Sequence, residues 1–202
     1  MVSVKNKTMK TNIIGKIVIV ILMLGSLLAI YFGSYLPLIK AQKYIFLANS
    51  IRNIKTFEQF KEASIDLFNF RSPIGQEEVV RFFGREILTM VRNPNQPEQV
   101  SRELIKLFEP YYFRNNVRHI SNMGEMYAFL WGKHKREEDF GQAEFYFLKV
   151  LEIGPDLPPP LYTLFELYKL HGDTAKMKAI GERIIANWPE DTGVRQLIQS
   201  IK

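Results

Sequence analysis

The sequence predicts an all-α protein in which one N-terminal transmembrane helix precedes a stack of antiparallel helix pairs. Three observations indicate this fold class. Residues 17–39 contain no charged side chain, and a stretch of that length and polarity is typical of a membrane-spanning helix. From residue 40 onward, apolar residues recur at spacings of three and four, with almost no strict alternation. Finally, Pro189 follows Pro155 by 34 residues, each at the end of a similar helical pattern.

The first of these segments is long enough to cross a bilayer. A helix needs about 20 apolar residues to span roughly 30 Å of hydrocarbon, and we expect residues 17–39 to do so, with Pro37 at the exit. Three aromatic residues cluster toward one end, where anchors at the headgroup level are expected: Tyr31, Phe32 and Tyr35. The alternative is a cleaved signal peptide. Its apolar region is typically about 7–15 residues long and ends at a small-residue cleavage site, so we favour an uncleaved anchor.

The charges that flank this helix leave its orientation almost balanced. Four basic residues lie in the N-terminal flank (residues 1–16): Lys5, Lys7, Lys10 and Lys16. Four more follow the helix: Lys40, Lys43, Arg52 and Lys55. The N-terminal flank has no acidic residue and a free amine, and long C-terminal domains translocate largely regardless of their charge. We therefore expect a single-pass protein of the bacterial cytoplasmic membrane, with a cytoplasmic N-terminus and an extracytoplasmic C-terminal domain.

Composition excludes several classes of function. The net charge is +6, but removing the four N-terminal lysines leaves 23 Lys and Arg residues against 21 Asp and Glu residues, a balance of +2. Such a domain has no obvious phosphate-binding stripe, so nucleic acid is not an expected partner. There is no cysteine, which excludes disulfides, thiol catalysis and thiolate metal sites.

The region after the anchor reads as a series of short helices. We expect residues 40–55 to form a helical connection and residues 56–202 to form the helical domain. Thr56 and Gln59 have capping-box spacing, which predicts a helix start. Its predicted buried face is Phe57, Phe60, Ser64, Leu67 and Phe68. The next helix buries Val79, Val80, Phe83, Ile87 and Val91, and a third buries Val100, Leu104, Leu107 and Phe108. A fourth, at about 115–134, carries an apolar stripe of Ile120, Met123, Tyr127, Leu130 and His134.

The two prolines bring other positions of the chain into register. On the first helix of each copy, the paired positions are Tyr127, Leu130, Trp131 and His134 with Leu161, Leu164, Phe165 and Tyr168. On the second helix they are Ala143, Phe147 and Val150 with Met177, Gly181 and Ile184. This pattern resembles the tetratricopeptide repeat (TPR), although Trp131 stands where that family prefers a small residue.

The TPR resemblance implies a right-handed α-solenoid with its clearest repeats at residues 124–157 and 158–191. Because isolated repeats leave an apolar face open, we expect a C-terminal helix at 191–201 to cap the stack. Its apolar residues are Val194, Leu197, Ile198 and Ile201.

A second resemblance covers residues of about 35–83. This segment is similar to the helical tail of bacterial O-antigen ligase-like proteins, in which a helix leads through a Ser-Pro turn to a further helix. The matching residues are Phe60, Ala63, Ser72, Pro73, Gly75, Gln76 and Glu77. The resemblance implies an alternative function, as the tail or accessory component of a surface polysaccharide assembly system. It implies no catalytic residue, because the multi-helix membrane bundle that carries the chemistry has no counterpart in this sequence.

Motifs that indicate catalysis are not found. The three histidines, His119, His134 and His171, have no partner at metal-ligand spacing, and nucleotide-binding and nucleophile-elbow motifs do not occur. The acidic pairs Glu77-Glu78 and Glu137-Glu138 are typical of solvated helix starts. We therefore expect no catalytic residue, metal, cofactor or small-molecule substrate; an enzyme with an unrecognised site is the third, least favoured class.

The TPR resemblance also places a candidate binding surface. In such repeats, the positions opposite the packing stripe of each first helix line a groove that binds a segment of another protein. Here those positions are Ala128, Gly132, Lys135 and Arg136 in one copy, and Tyr162, Glu166 and Lys169 in the next. The alternative is that they are simply solvated, since polar helix faces need no partner. The sequence thus predicts a membrane-anchored scaffold whose partner is another, membrane-associated protein.

Overall fold

The computed structural model describes the backbone of residues 2–50 and 56–200, and the side chains of residues 13–49 and 56–200. All regular structure in these ranges is helical, and they contain no strand, as predicted. The helices are α1 (Val2–Ile30), α2 (Leu36–Ser50), α3 (Phe57–Asn69), α4 (Gln76–Arg92), α5 (Glu98–Phe108), α6 (Val117–His134), α7 (Glu137–Ile153), α8 (Pro158–His171), α9 (Thr174–Asn187) and α10 (Thr192–Ser200). The chain divides into two compact units, Met1–Val79 and Val80–Lys202.

Some sequence predictions fall on positions outside the described residues. Neither the backbone nor the side chain is described at Arg52, Lys55 and the capping residue Ile201. At Lys5, Lys7 and Lys10 the backbone is described but the side chain is not.

The first unit contains a long apolar helix. Within the described residues, one helical stretch, Ile13–Asn49, is long and apolar enough to cross a membrane, and it contains an 18-residue window with a mean hydropathy of 2.7. Helix α1 runs through a π-helical turn, Tyr31–Tyr35, directly into α2. Pro37 lies inside this continuous helix, two residues after the π-helical turn. A proline removes one backbone hydrogen bond and crowds the preceding turn, and a π-helical turn just before it accommodates both effects.

Helix α2 packs against α3 within this unit. Lys40 is buried to 2% exposure and donates from Nζ to the Phe70 carbonyl at 2.8 Å, while Lys43 pairs with Asp66 at 2.6 Å. The predicted helix start is confirmed, because the Thr56 hydroxyl accepts a hydrogen bond from the backbone N–H of Gln59. These polar contacts and the buried Leu47 fix α3 against α2.

A turn precedes α4 at the predicted Ser-Pro position. The Ser72 hydroxyl donates to the Ile74 carbonyl at 2.7 Å, and Gly75 has a φ of +85° before α4 begins at Gln76. Glycine adopts this left-handed conformation without the steric cost that a side chain would add. The apolar face predicted for α4 is buried in full: Val79, Val80, Phe83, Ile87 and Val91.

In the second unit, consecutive helices pack side by side. Helix α5 contacts α6, and the contacts continue from α6 to α7, α8, α9 and finally α10. The main apolar cluster lies among α6 to α10 and is built on Trp131, Phe140, Phe147, Phe165 and Tyr168. The right-handed solenoid itself stays a prediction.

The positions that the sequence brought into register mostly lie in the core. On the second helices all six are buried: Ala143, Phe147, Val150, Met177, Gly181 and Ile184. The exchange of large and small residues between the two copies has a local explanation. Phe147 lies against Gly124, whereas the small Gly181 admits the side chains of Ile198 from α10 and Phe165 from α8. Glycine at 181 thus permits close packing of the terminal helix.

A charged pair also joins α5 to α7. The Arg102 guanidinium donates two hydrogen bonds to Asp139, from Nη1 to Oδ1 at 2.9 Å and from Nη2 to Oδ2 at 2.7 Å. The Asp139 residue is only 1% exposed. The hydrogen bonds to this carboxylate raise the pKa of Arg102 above its usual range, so the guanidinium stays charged and balances the buried carboxylate.

Candidate functional site

The second unit carries a groove of about 520 Å³ between α6 and α8, which we call the α6–α8 groove. Its walls come from the end of α4, the second half of α6 with the residue that follows it, and α8. The residues that line it are Arg92, Glu125, Ala128, Phe129, Trp131, Gly132, Lys135, Thr163, Glu166, Leu167 and Leu170.

The two main helices each present one face to the groove. Besides Trp131, helix α6 contributes Glu125, Ala128, Phe129 and Gly132, and α8 contributes Thr163, Glu166, Leu167 and Leu170. Both sets have i, i+3, i+4, i+7 spacing, so each forms one continuous helix face. The small residues Ala128 and Gly132 on α6 leave open space, since a Cβ added at Gly132 would meet no atom within 4 Å.

Apolar side chains in the groove are only partly covered by the fold. Trp131 and Leu167 are buried, but Phe129 is 37% exposed and Leu170 is 69% exposed. Single exposed apolar residues are common on proteins. Two on facing helices, beside a concave surface, instead mark a candidate contact site.

Charged groups of both signs border this apolar surface. Arg92 pairs with Glu125 at 2.5 Å and lies 4.8 Å from the centre of the Phe129 ring. Lys135 Nζ lies 4.3 Å from the centre of the Trp131 ring, a cation–π distance. These rim charges limit which partner could enter, because an unpaired charge buried in an interface is costly.

Lys135 is also unusual in its backbone. Its φ of 55° is left-handed, and it is the one non-glycine residue with a positive φ in the described part of the chain. It follows α6 directly, and its N–H donates to the Trp131 carbonyl at 2.8 Å. This is the conformation of a helix C-terminal cap, where glycine is the usual residue.

The structure brings together four of the seven residues that the sequence singled out. Ala128, Gly132, Lys135 and Glu166 all line the α6–α8 groove. Lys169 lies beside it without lining it, and its Nζ pairs with Glu166 at 2.8 Å.

Arg136 and Tyr162 lie elsewhere. Arg136 pairs with Glu98 of α5 at 2.8 Å. The Tyr162 hydroxyl donates to Asp191 Oδ2 at 2.6 Å, and its ring lies 5.9 Å from that of Trp188. The hydrogen bond to Asp191 raises the pKa of Tyr162 to about 12, and the same bond lowers the pKa of the Asp191 carboxyl. Tyr162 thus supports the start of α10, because Asp191 Oδ1 also accepts from the Val194 N–H at 2.9 Å.

Several groove residues were not predicted from the sequence. Phe129 and Leu170 are apolar residues outside the predicted packing stripe. An apolar residue in such a position is expected to be exposed, and this could have pointed to both of them. Arg92 and Glu125 gave no such signal, because a pair 33 residues apart forms only when α4 and α6 pack together.

Most of the aromatic residues on α7 and α8 are covered by the fold. Tyr146, Phe147, Phe165 and Tyr168 are buried and Tyr162 is partly buried, whereas Phe145 is 47% exposed. The histidines have local partners: His171 stacks on Phe140 at 3.8 Å, and His134 lies 3.6 Å from Glu98. In residues 13–49 and 56–200, no three His, Asp or Glu side chains are grouped as metal ligands would be.

No protein-family model matches the chain, and no curated protein matches it. The candidate function therefore depends on the geometry of the groove and on the sequence patterns.

Proposed function

We propose that this chain is a membrane-anchored, TPR-like scaffold that binds a segment of another protein in the α6–α8 groove, at the cell envelope of a bacterium. The observation that carries the proposal is the exposure of Phe129 and Leu170 on facing helices, between the charges of Arg92, Lys135 and Glu166. A helix or extended segment with apolar side chains at regular spacing and charges of both signs matches this surface. The proposed action is binding without catalysis.

The apolar N-terminal helix supports a membrane-associated partner. With residues 17–39 in the bilayer, the domain is confined to a thin layer. A neighbour in the same membrane then meets the groove at a high effective concentration, so that even weak contacts are well occupied.

Site-specific photo-crosslinking tests the proposal. A photoreactive phenylalanine analogue at Leu170 lies in the groove, whereas the same analogue at Leu148, which is 41% exposed on α7, lies outside it. In intact cells we expect a discrete crosslinked species from position 170 and none of the same mass from position 148.

Charge reversal then separates a specific partner from chance contact. Combining the analogue at 170 with Lys135→Glu and Glu166→Lys keeps the net charge and reverses both rim charges, and we expect the crosslinked species to disappear. A species that persists with the reversed rim, or that forms equally from position 148, contradicts binding in the groove.

A second candidate function is that of a tail or accessory component in surface polysaccharide assembly. It is supported by the similarity of residues 35–83 to O-antigen ligase-like tails, and by the turn from Ser72 to Gly75 that leads into α4. A neighbouring gene that encodes many membrane spans and glycan-ligase motifs would favour it; a neighbouring secretion operon would favour the general scaffold.

A further inference from the structure

A second cavity of about 520 Å³ lies among α4, α6 and the start of α8, and it is rich in arginine. Arg81 and Arg85 project from successive turns of α4, and Arg118 projects from the first turn of α6. Ser121 and Asn122 of α6 add a hydroxyl and an amide to the same cavity. Three arginines from two helices therefore line one cavity.

These arginines differ from most others in the same unit. Arg92, Arg102, Arg136 and Arg183 each form an ion pair, whereas Arg81, Arg85 and Arg118 form none among the residues that the structure describes. Glu125 is the acidic residue in the lining, and Arg92 holds it at 2.5 Å. Like charges confined together repel one another, so an anion would be stabilised in this cavity.

Side chains supply the main donors in the cavity. The Asn116 side chain already accepts from the N–H groups of Arg118 and His119 at the start of α6. Helix α8 begins with Pro158, Pro159 and Pro160, which have no N–H to offer. Recognition would therefore depend on guanidinium groups, whose planar fork matches phosphate oxygens in pairs.

The remaining walls of the cavity are apolar. They comprise Phe82, Val117, Leu157 and prolines of α8. A cavity of about 520 Å³ has room for more than a phosphate ion. Arg81 lies over the Phe82 ring, 4.6 Å from its centre, so charged and apolar groups are neighbours in this cavity. The ligand that fits carries both a negative charge and an apolar group.

We propose that this cavity binds a phosphate group that bears an apolar substituent, held by Arg81, Arg85 and Arg118. The phosphate could come from an anionic lipid headgroup or from a soluble phosphate ester, and the two share the chemistry that the arginines recognise. The site is separate from the α6–α8 groove, although both cavities reach Glu125.

Calorimetric titration of the full chain in dodecyl maltoside, at constant ionic strength, tests this site. The probes are inorganic phosphate, phenyl phosphate and dihexanoyl phosphatidic acid. We expect the two substituted phosphates to bind more tightly than inorganic phosphate. Arg85→Gln is expected to weaken them about tenfold, and the triple variant R81Q/R85Q/R118Q to weaken them further.

The matched control is R71Q/R114Q/K178Q, which removes the same charge from exposed positions outside the cavity. If this control weakens binding as much as R81Q/R85Q/R118Q does, the phosphates are held only by general charge attraction and the proposal fails. It also fails if neither substituted phosphate binds, or if a triglutamate peptide binds in their place. If phosphatidic acid binds more tightly than phenyl phosphate, the phosphate comes from a lipid. If phenyl phosphate binds as tightly as phosphatidic acid, the phosphate comes from a soluble ester. Should the triple variant not fold, the exposed Arg85→Gln decides the outcome.

Discussion

A single glycine controls how closely the last helix packs. A Cβ added at Gly181 would overlap the end of the Ile198 side chain and lie 2.8 Å from Cε2 of Phe165. Overpacking of this kind typically costs about 1–3 kcal/mol, and the better helix propensity of alanine offsets about 1 kcal/mol of it. The site therefore requires glycine for space and not for an unusual backbone conformation.

We predict that Gly181→Ala lowers the free energy of unfolding by about 1 kcal/mol. Urea unfolding of the full chain in detergent, followed by the fluorescence of Trp131 and Trp188, measures the change. Gly141→Ala is the matched control on α7, because an added Cβ there meets nothing within 4 Å. That variant should be unchanged or more stable; similar losses in both would show that packing against α10 is not the cause.

The buried pair of Arg102 and Asp139 gives a second prediction at this scale. Arg102→Met leaves the Asp139 carboxylate buried without its counter-ion, which typically costs about 3–5 kcal/mol. The control, Arg136→Met, removes an exposed arginine that pairs with Glu98, and such surface pairs are worth about 1 kcal/mol or less. Urea unfolding should separate the two variants clearly.

The double variant Arg102→Met/Asp139→Leu tests the reason for that loss. It removes both charges, so we expect it to be more stable than Arg102→Met alone. A double variant that is less stable than the single one would mean that the pair contributes more than the balance of a buried charge.

The hydrogen bond between Tyr162 and Asp191 predicts a dependence on pH. Because the pKa of Asp191 is lowered in the fold, its stabilising effect is present above about pH 4, where an unfolded aspartate titrates, and is lost as the pH falls through the lower folded value. Because the pKa of Tyr162 is raised to about 12, its contribution is complete below about pH 10 and is lost as the pH rises through the folded value.

We therefore expect Asp191→Asn to lower the melting temperature at neutral pH and to match the unsubstituted chain in strong acid. Thermal unfolding over a range of pH measures the difference between the two. The melting temperature of Tyr162→Phe should fall less in acid than that of the unsubstituted chain. If the melting temperatures of Asp191→Asn and the unsubstituted chain differ by the same amount at every pH, the hydrogen bond is not the cause.

At the scale of elements, the connection from α6 to α7 depends on one left-handed residue. Lys135 adopts a φ of 55°, a conformation that costs a non-glycine residue roughly 1–2 kcal/mol. Glycine is favoured at this position after a helix, although the substitution also removes the contact of Lys135 with Trp131.

Lys135→Gly should therefore preserve the stability of the domain or raise it by up to about 1 kcal/mol, while removing one charge from the α6–α8 groove. Thermal unfolding measures the change in stability. The yield of the crosslink from position 170 measures how the lost charge affects binding in the groove. A marked loss of stability would show that the contact with Trp131 outweighs the backbone strain.

The helix faces were predictable to different degrees. The apolar stripe of α4 was confirmed in full, because residues at helical spacing have only one way to cover a continuous apolar face. On α6, by contrast, the stripe and the groove face are adjacent. The position of α8 therefore decides whether Trp131 packs inward or lines the groove. In the structure, Trp131 belongs to the apolar cluster and also lines the groove.

At the scale of the whole molecule, the N-terminal apolar helix is expected to hold the chain in a membrane. The side chains at Leu24 and Leu28 are exposed along this helix. An arginine at the centre of a spanning helix costs about 2.5–3.5 kcal/mol on the insertion scale. We expect the double variant Leu24→Arg/Leu28→Arg to move into the carbonate-soluble fraction, and the unsubstituted chain to stay with the membrane.

The control is Leu148→Arg, which adds charge on the exposed face of α7 and should remain in the membrane fraction. A reporter fused after Lys202 locates the domain, and activity of a periplasm-dependent reporter is the expected result. Release of the unsubstituted chain by carbonate would overturn the anchor.

The sequence alone determined that the protein is helical and where its apolar segments lie, because helix periodicity and a long uncharged stretch are properties of neighbouring residues. Only the tertiary structure decided which faces remain exposed. Tyr162 turned toward Asp191, the exposed Leu170 joined the groove beside Glu166, and Arg81, Arg85 and Arg118 came to share a cavity. Each of these outcomes depends on how helices that are far apart in the sequence pack together, and no local sequence pattern specifies that packing.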